Sequence, residues 1–298
     1  MTFSDRISPI ISASKLNDIL NDEHVAIFDC RFSLADPNEG ASQFAESRIP
    51  GSRYAHLDND LSSPVGDGSQ GRHPLPDMDY FLAYLTESGM SDDTLVVAYD
   101  DFGGAFASRL WWLMHRLGHL SVCVLDGGWS SWVAGGFLVD TAPLSEQANI
   151  PTAEGTMLEA VEDPQLEISV DQVLSADVAL IDSRASQRYL GLEEPIDPVA
   201  GHIPGAINRP WMDNLTDEMM FKSPDDLKVR FTPLLDDDSP PRPLAFYCGS
   251  GVTACHNILA SQIAGLPMPK LYAASWSGWI SSGDRPIVTN EDSNQGGP

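Results

Sequence analysis

Short, nearly unbroken apolar runs recur along the chain at residues 25–28, 94–99, 178–181 and 244–247. Runs of that length, flanked by turn-forming residues, predict strands buried on both faces, as in a parallel sheet. Residues 79–88, 105–117, 170–174 and 253–264 instead carry apolar side chains three and four positions apart. That spacing predicts helices with one face on a core. The alternation of strand and helix predicts an α/β architecture of parallel sheets flanked by helices. Even the longest apolar stretches fall well short of the roughly 18 to 20 residues that a membrane span requires. The opening Met1-Thr2-Phe3-Ser4-Asp5-Arg6 has no basic region leading into an apolar one, so a soluble, cytoplasmic protein is expected.

The pattern occurs twice. Phe28-Asp29-Cys30-Arg31 reappears as Ile181-Asp182-Ser183-Arg184, and Arg48-Ile49-Pro50-Gly51-Ser52 as His202-Ile203-Pro204-Gly205-Ala206. Further along, Val97-Ala98-Tyr99 matches Ala245-Phe246-Tyr247, and Gly128-Trp129-Ser130-Ser131-Trp132 matches Ser275-Trp276-Ser277-Gly278-Trp279. Four landmarks in one order, with a period of about 150 residues, predict a duplicated domain rather than a solenoid of short repeats. The expected division is 1–140, a linker over 141–165 rich in Pro, Ala, Glu, Thr and Ser, and 166–298.

Charge narrows the partners. The 298 residues include 43 acidic and 17 basic side chains, a formal net charge of −26. That field repels nucleic acid and anionic lipid, so neither is an expected partner, and an anionic substrate would need a local basic pocket. The four cysteines, Cys30, Cys123, Cys248 and Cys255, lack the density of a disulfide scaffold and the C-x-x-C spacing of a zinc site. Reduced thiols are expected, with no metal and no organic cofactor.

The halves differ where a strand hands over to a helix. After 244–247 the chain reads Cys248-Gly249-Ser250-Gly251-Val252-Thr253-Ala254, whereas the first half has Asp100 in the position of the cysteine. Ligands of open α/β sheets bind beyond the carboxyl ends of strands, and a small-residue loop entering a helix turns several backbone N–H groups toward one point. That point is the Cys248 sulfur, and the aligned amides and helix dipole favour its thiolate. Gly249 and Gly251 are expected to adopt backbone angles closed to other residues, and the Thr253 hydroxyl to donate a hydrogen bond to the sulfur.

Taken together, the duplicated halves, the order Asp-x-Arg, Ile-Pro-Gly, Cys loop and Trp, and Cys-Gly-Ser-Gly-Val-Thr-Ala itself resemble the tandem rhodanese-domain sulfurtransferases. The resemblance covers nearly the whole chain. It implies two rhodanese-like domains of which only the second is catalytic, with Cys248 taking sulfur from a small anionic donor. The resulting persulfide would pass its sulfur to cyanide, a small thiol or a thioredoxin-like protein. The loop is similar to the 3-mercaptopyruvate version in the family rather than the thiosulfate version, with Gly249, Gly251, Val252 and Thr253 framing the donor.

The resemblance also implies that Arg188 binds the donor's anionic group, for which a guanidinium fork is suited; a plain ion pair with Glu193 or Glu194 is the competing reading. Asp197 stands where the family commonly has a second arginine, which leaves thiosulfate open as the donor. Arg209 is a weak substitute for that arginine. Asp60, His73 and Ser250 fall at the positions of a serine–histidine–aspartate proton relay. That role requires the loop carrying Arg72-His73-Pro74 to reach the second domain; an exposed loop histidine is the competing reading. The tryptophans, Cys255, His202 and the Asp182-x-Arg184 pair read as structural.

Two rival chemistries meet obstacles. A cysteine phosphatase needs Cys-x5-Arg, and the sixth residue after Cys248 is Ala254. A nucleotide-binding P-loop needs a Lys after its glycines, and none follows. A noncatalytic sulfur carrier using Cys248 remains as the alternative from a different class.

Overall fold

The computed structural model describes residues 8–144, 158, 161–235 and 242–289. The chain forms two compact units. They follow its two halves, with one exchange: Pro64–Leu75 belongs to the second unit and Asp217–Phe221 to the first. The stretch 141–165, expected as a linker, lies largely outside the described residues.

The first unit contains β1 (Ile10–Ile11), α1 (Ala13–Asp18), β2 (Val25–Asp29), α2 (Glu39–Glu46), β3 (Arg53–Tyr54), α3 (Met78–Glu87), β4 (Leu95–Tyr99), α4 (Ala107–Leu117), β5 (Val122–Leu125) and α5 (Gly128–Ala134). Its strands form one sheet in the order β1-β5-β4-β2-β3, and every pairing is parallel. The apolar runs predicted as strands are β2 and β4; Ile27, Val97, Tyr99, Cys123 and Leu125 pack with Trp132 in one cluster of the core.

The second unit contains α6 (Val170–Leu174), β6 (Ala179–Asp182), α7 (Ser186–Tyr189), β7 (Ile207–Asn208), α8 (Pro224–Phe231), β8 (Leu244–Tyr247), α9 (Thr253–Ile263), β9 (Lys270–Leu271) and α10 (Ser275–Ile280). Its parallel sheet runs β7-β6-β8-β9, and a parallel bridge from Glu167 to Leu271 extends the β9 edge as β1 extends β5 in the first unit. Leu180, Ala245, Tyr247, Trp276 and Trp279 share its core cluster. Among the described residues no helix is long and apolar enough to cross a membrane.

Both units brace the end of a central strand in the same way. Arg184 donates to both carboxylate oxygens of Asp182, at 2.6 and 3.1 Å, and Arg31 does so with Asp29. Each guanidinium also lies over an indole, Arg184 on Trp276 at 4.7 Å and Arg31 on Trp129 at 4.6 Å. These charges are buried, so each pair is held by mutual compensation rather than by water. The repeated tryptophans thus serve the fold, as the sequence suggested.

The helix expected to start at residue 105 begins at Ala107, because Ala105 and Phe106 still belong to a loop wrapped around Asp100. That carboxylate accepts backbone N–H groups from Phe102 and Gly104 on one oxygen and from Phe106 and Ala107 on the other, all at 2.8–2.9 Å. The strand-to-helix turn of the first unit is therefore an anion cradle already filled by the protein's own side chain. Asp100→Ala leaves these buried amides without an acceptor and is expected to cost about 2–4 kcal/mol. Urea unfolding measures this, and a loss under about 0.5 kcal/mol, the usual range for surface substitutions, contradicts it.

Candidate active site

The corresponding turn of the second unit places a cysteine sulfur where the first places the Asp100 carboxylate. Cys248 follows β8 and is 2% exposed. Gly251 N–H donates to its Sγ at 3.2 Å. Gly251 has a φ of +79°, and a methyl group there would lie 2.4 Å from the Ala273 carbonyl oxygen, so only glycine fits. Gly249 does not take the backbone angle expected of it. Its φ is not in the left-handed region, but a methyl group on it would lie 3.0 Å from Arg72 Nη2 and 3.4 Å from Arg188 Nη2. Among the described residues the donor to Sγ is the Gly251 amide; the Thr253 hydroxyl at the start of α9 makes no hydrogen bond to it. Val252 is buried and precedes α9 as its cap.

The loop is tied to the start of α10. Trp276 and Ser277 N–H donate to the carbonyls of Cys248 and Gly249, at 3.0 and 2.9 Å. Cys248 N–H donates to Ser275 Oγ at 3.1 Å. Ser275 holds a φ of +54°, a strained angle for a residue with a side chain. Its counterpart in the first half, Gly128, has φ +52°, and a methyl group there would collide with Asp100 O at 2.1 Å. The second unit therefore accepts backbone strain and gains a hydroxyl that fixes the Cys248 amide. The pairing of Gly128 with Ser275 in the repeat was the visible signal for this residue, which sequence reasoning passed over.

Ser250 Oγ is 2.7 Å from His73 Nδ1, and both residues are buried. His73 is therefore not an exposed loop histidine. Its segment, Pro64–Leu75, is part of the second unit. Asp60 belongs to the first unit, where its carboxylate accepts His56 N–H at 2.7 Å and burial pushes its pKa up.

Arg188, on α7, donates through Nε to Glu194 at 3.0 Å and through Nη2 to Asp197 at 3.0 Å. The ion pair expected as the competing reading is present, with Glu194 as the partner, and the guanidinium lies 3.4 Å from where a methyl group on Gly249 would sit. The pairing is buried rather than superficial, since the Glu194 and Asp197 side chains are only 4% and 3% exposed. Asp197 also accepts from Arg72 Nη1, and Glu194 from Arg184 at 3.4 Å. Asp182, Arg184, Glu194, Arg188, Asp197 and Arg72 thus form one chain of alternating charges from the end of β6 to the cysteine loop. The sequence marks Arg72 only by its place directly before His73, because its partner Asp197 lies 125 residues away. Arg209 stands outside this chain, its guanidinium donating to the Asn208 carbonyl. It lines an open cleft of about 790 Å³ with Lys222 and Arg230.

The other thiols are less suited to nucleophilic work. Burial pushes Cys123 up to about 12. Burial raises Cys30 well above its ordinary value too, helped by the carboxylates of Asp100, Asp29 and Asp60. Cys255, buried on α9, donates its thiol to Gly251 O at 3.3 Å and so buttresses the loop.

Comparison with known proteins places the chain in a family. The family described as the rhodanese-like domain matches residues 12–135 and 169–282. A Pseudomonas aeruginosa protein named probable 3-mercaptopyruvate sulfurtransferase is 42% identical over 95% of this chain and 98% of its own. A thiosulfate sulfurtransferase from Cricetulus griseus is 34% identical over 85% of this chain and 84% of its own. The structure of a 3-mercaptopyruvate sulfurtransferase from Leishmania major superposes with a TM-score of 0.77 at 29% identity, covering 93% of this chain and 75% of that one.

The ion chain makes a pH prediction. Burial works to raise the Glu194 carboxyl, but hydrogen bonds from Arg188 and from the Asp197 and Ile196 amides outweigh it and hold it below its usual 4.5. A group whose pKa falls on folding stabilises above its unfolded value and loses that contribution as pH drops through its folded one. Glu194→Gln is expected to cost about 1–3 kcal/mol near neutrality, with the difference from wild type shrinking as the pH falls below 4.5. Denaturant unfolding at about pH 7 and about pH 3.5 checks this; a difference that does not change with pH contradicts it.

Proposed function

The chain belongs to the rhodanese family and is a sulfurtransferase, and on that footing we propose that Cys248 carries the sulfur as a persulfide, taken by preference from 3-mercaptopyruvate. The observation that carries this reading is the position of Sγ at the junction of β8 and α9, held by the Gly251 amide in a cradle whose twin binds a carboxylate. A thiolate there attacks the donor sulfur. The carbon–sulfur bond breaks, its electron pair leaves with pyruvate as the enolate, and protonation of that enolate completes the first half-reaction. With thiosulfate the leaving group is sulfite. In the second half-reaction the acceptor attacks the outer sulfur and Cys248 departs as thiolate, so cyanide gives thiocyanate and a thiol gives its persulfide.

Arg188 binds the donor's carboxylate, and the hydrogen-bonded pair of Ser250 and His73 handles the proton that the enolate requires. The preference for 3-mercaptopyruvate follows from charge. Residues 249–254 contain no cation, and Glu194 and Asp197 already neutralise much of Arg188. A singly charged carboxylate therefore suits the site better than the thiosulfate dianion. A small thiol or a reduced thioredoxin-like protein is the natural acceptor in this reading, and the cytoplasm its place of work.

Steady-state assays with each donor and cyanide test the reading. kcat/KM is expected to be at least about tenfold higher with 3-mercaptopyruvate. Cys248→Ser is expected to abolish transfer and keep the fold, and residual transfer above background contradicts the persulfide. Arg188→Ala is expected to raise the donor KM by about 10–100-fold, the loss of one charge-assisted hydrogen-bonded contact. An unchanged KM removes Arg188 from the donor site.

A further inference from the structure

Resting on the persulfide reading above, we infer that the cleft lined by Arg209, Lys222 and Arg230 is the docking surface for the sulfur acceptor. The acceptor it fits is a thiol protein with an acidic side chain about 10 Å from its reactive sulfur, a distance set by two strand spacings.

The cleft is cationic against the trend of the chain. Three cations and two carboxylates, Asp213 and Asp226, line it, whereas the whole chain has 17 basic and 43 acidic residues. Arg230 is fully engaged, donating to Asn214 Oδ1, Asp213 Oδ2 and the Pro210 carbonyl at 2.9, 3.2 and 2.6 Å. Asp213 is thereby paired, and Asp226 accepts from the Ser223 hydroxyl at 2.6 Å. Arg209 is not engaged in this way. Its Nη1 donates to the Asn208 carbonyl at 2.9 Å, and among the described residues its Nε and Nη2 donate to nothing. Lys222 Nζ donates to the Asp213 carbonyl at 2.9 Å, which leaves further ammonium hydrogens to spare. Burial, and repulsion from Arg209, pull Arg230 below its ordinary pKa against the attraction of Asp213. A carboxylate entering beside Arg209 relieves that repulsion and meets the guanidinium fork.

The cleft and the sulfur lie at the same end of one sheet. Asp182 on β6 is in register with Asn208 on β7 and with Tyr247 on β8. Arg209 and Cys248 directly follow those two residues, so they leave the sheet two strands apart, about 10 Å at ~4.8 Å per strand. Helix α7 borders both places: Ser186 at its start lines the cleft, and Arg188 Nη2 lies 3.4 Å from where a methyl group on Gly249 would sit. A small thiol at the sulfur is too short to cover α7 as well. A protein footprint of about 800 Å², roughly 30 Å across, covers both. Met212, adjoining Asp213, and Leu192, just past α7, are 44% and 56% exposed, and methionine beside arginine is a composition that protein interfaces favour. The net charge of −26 repels an acidic protein at long range; the cleft gives such a protein one orientation in which contact is favourable.

Single-turnover discharge of the sulfur-loaded enzyme separates docking from chemistry, with reduced thioredoxin as the protein probe and cyanide as the small one. In either case the acceptor attacks the outer sulfur, the sulfur–sulfur bond breaks, and Cys248 leaves as thiolate. Arg209→Glu combined with Lys222→Glu is expected to raise the thioredoxin concentration for half-maximal rate by about tenfold or more, and Arg209→Ala alone by about threefold. Discharge by cyanide is expected to stay within about twofold of wild type, because cyanide has no contact with the cleft. The gap between wild type and the double variant should narrow as salt rises from about 0.05 to about 0.5 M. Three results overturn the docking surface and leave the persulfide standing: thioredoxin discharge within about twofold of wild type in the double variant, a parallel loss with cyanide, or a wild type that discharges to cyanide but not to thioredoxin. Sulfur absent from Cys248 after loading overturns the persulfide reading instead.

Discussion

A sulfur atom at the carboxyl end of β8 receives the Gly251 amide, and much of the second unit is arranged so that this contact can form. Gly251 must take a left-handed angle against Ala273 O. Ser275 must accept strain to hold the Cys248 amide. Trp276 and Ser277 must present their N–H groups to the loop carbonyls. The first unit shows the same construction with the chemistry removed. There the Asp100 carboxyl group, acceptor of four amides, fills the turn with the protein's own side chain, and burial pushes its pKa up against those hydrogen bonds. The two turns differ by the residue at the strand end and by a loop two residues longer around Asp100 than around Cys248. Both turns direct backbone N–H groups at the side chain that ends the strand, a carboxylate in one and a sulfur in the other.

Around the sulfur, charge is organised as an alternating chain rather than as a basic patch. In a protein of net charge −26, a local excess of cations would be the simple way to attract an anionic donor. Here every arginine of the chain is matched by a carboxylate, from Asp182 outward to Arg72. Such a chain has little long-range pull. It fixes guanidinium directions near the cysteine loop. Burial pushes Asp197 up, and the neighbouring Arg72 and Arg188 work against that rise. The carboxylate and its two cations are thus mutually dependent, and position 197 is intelligible only together with position 72.

How much of this could be read from residues alone follows from what each feature depends on. Apolar runs and the repeat of Asp-x-Arg, Ile-Pro-Gly and the tryptophans are local signals, and they announced the two parallel sheets and the β8–α9 turn. Helix starts were misjudged where a buried side chain competes for amides, as at Ala105 and Phe106 around Asp100. Gly249 was expected to need a backbone angle closed to other residues, but its φ lies outside the left-handed region. Thr253 was expected to reach the sulfur, but the Gly251 backbone does so. Arg72 was missed because its partner Asp197 is 125 residues away, and no local pattern announces an ion pair at that separation. Ser275 was missed because strain is a property of φ, not of composition.

The central claim is that Cys248 is the atom on which sulfur rests between donor and acceptor. Peptide mass spectrometry of the protein after treatment with 3-mercaptopyruvate, with no acceptor present, tests it most directly. The account predicts the added mass of one sulfur atom on the peptide containing Cys248, and its removal by cyanide. No added sulfur there, or sulfur found only on Cys30, Cys123 or Cys255, would contradict it.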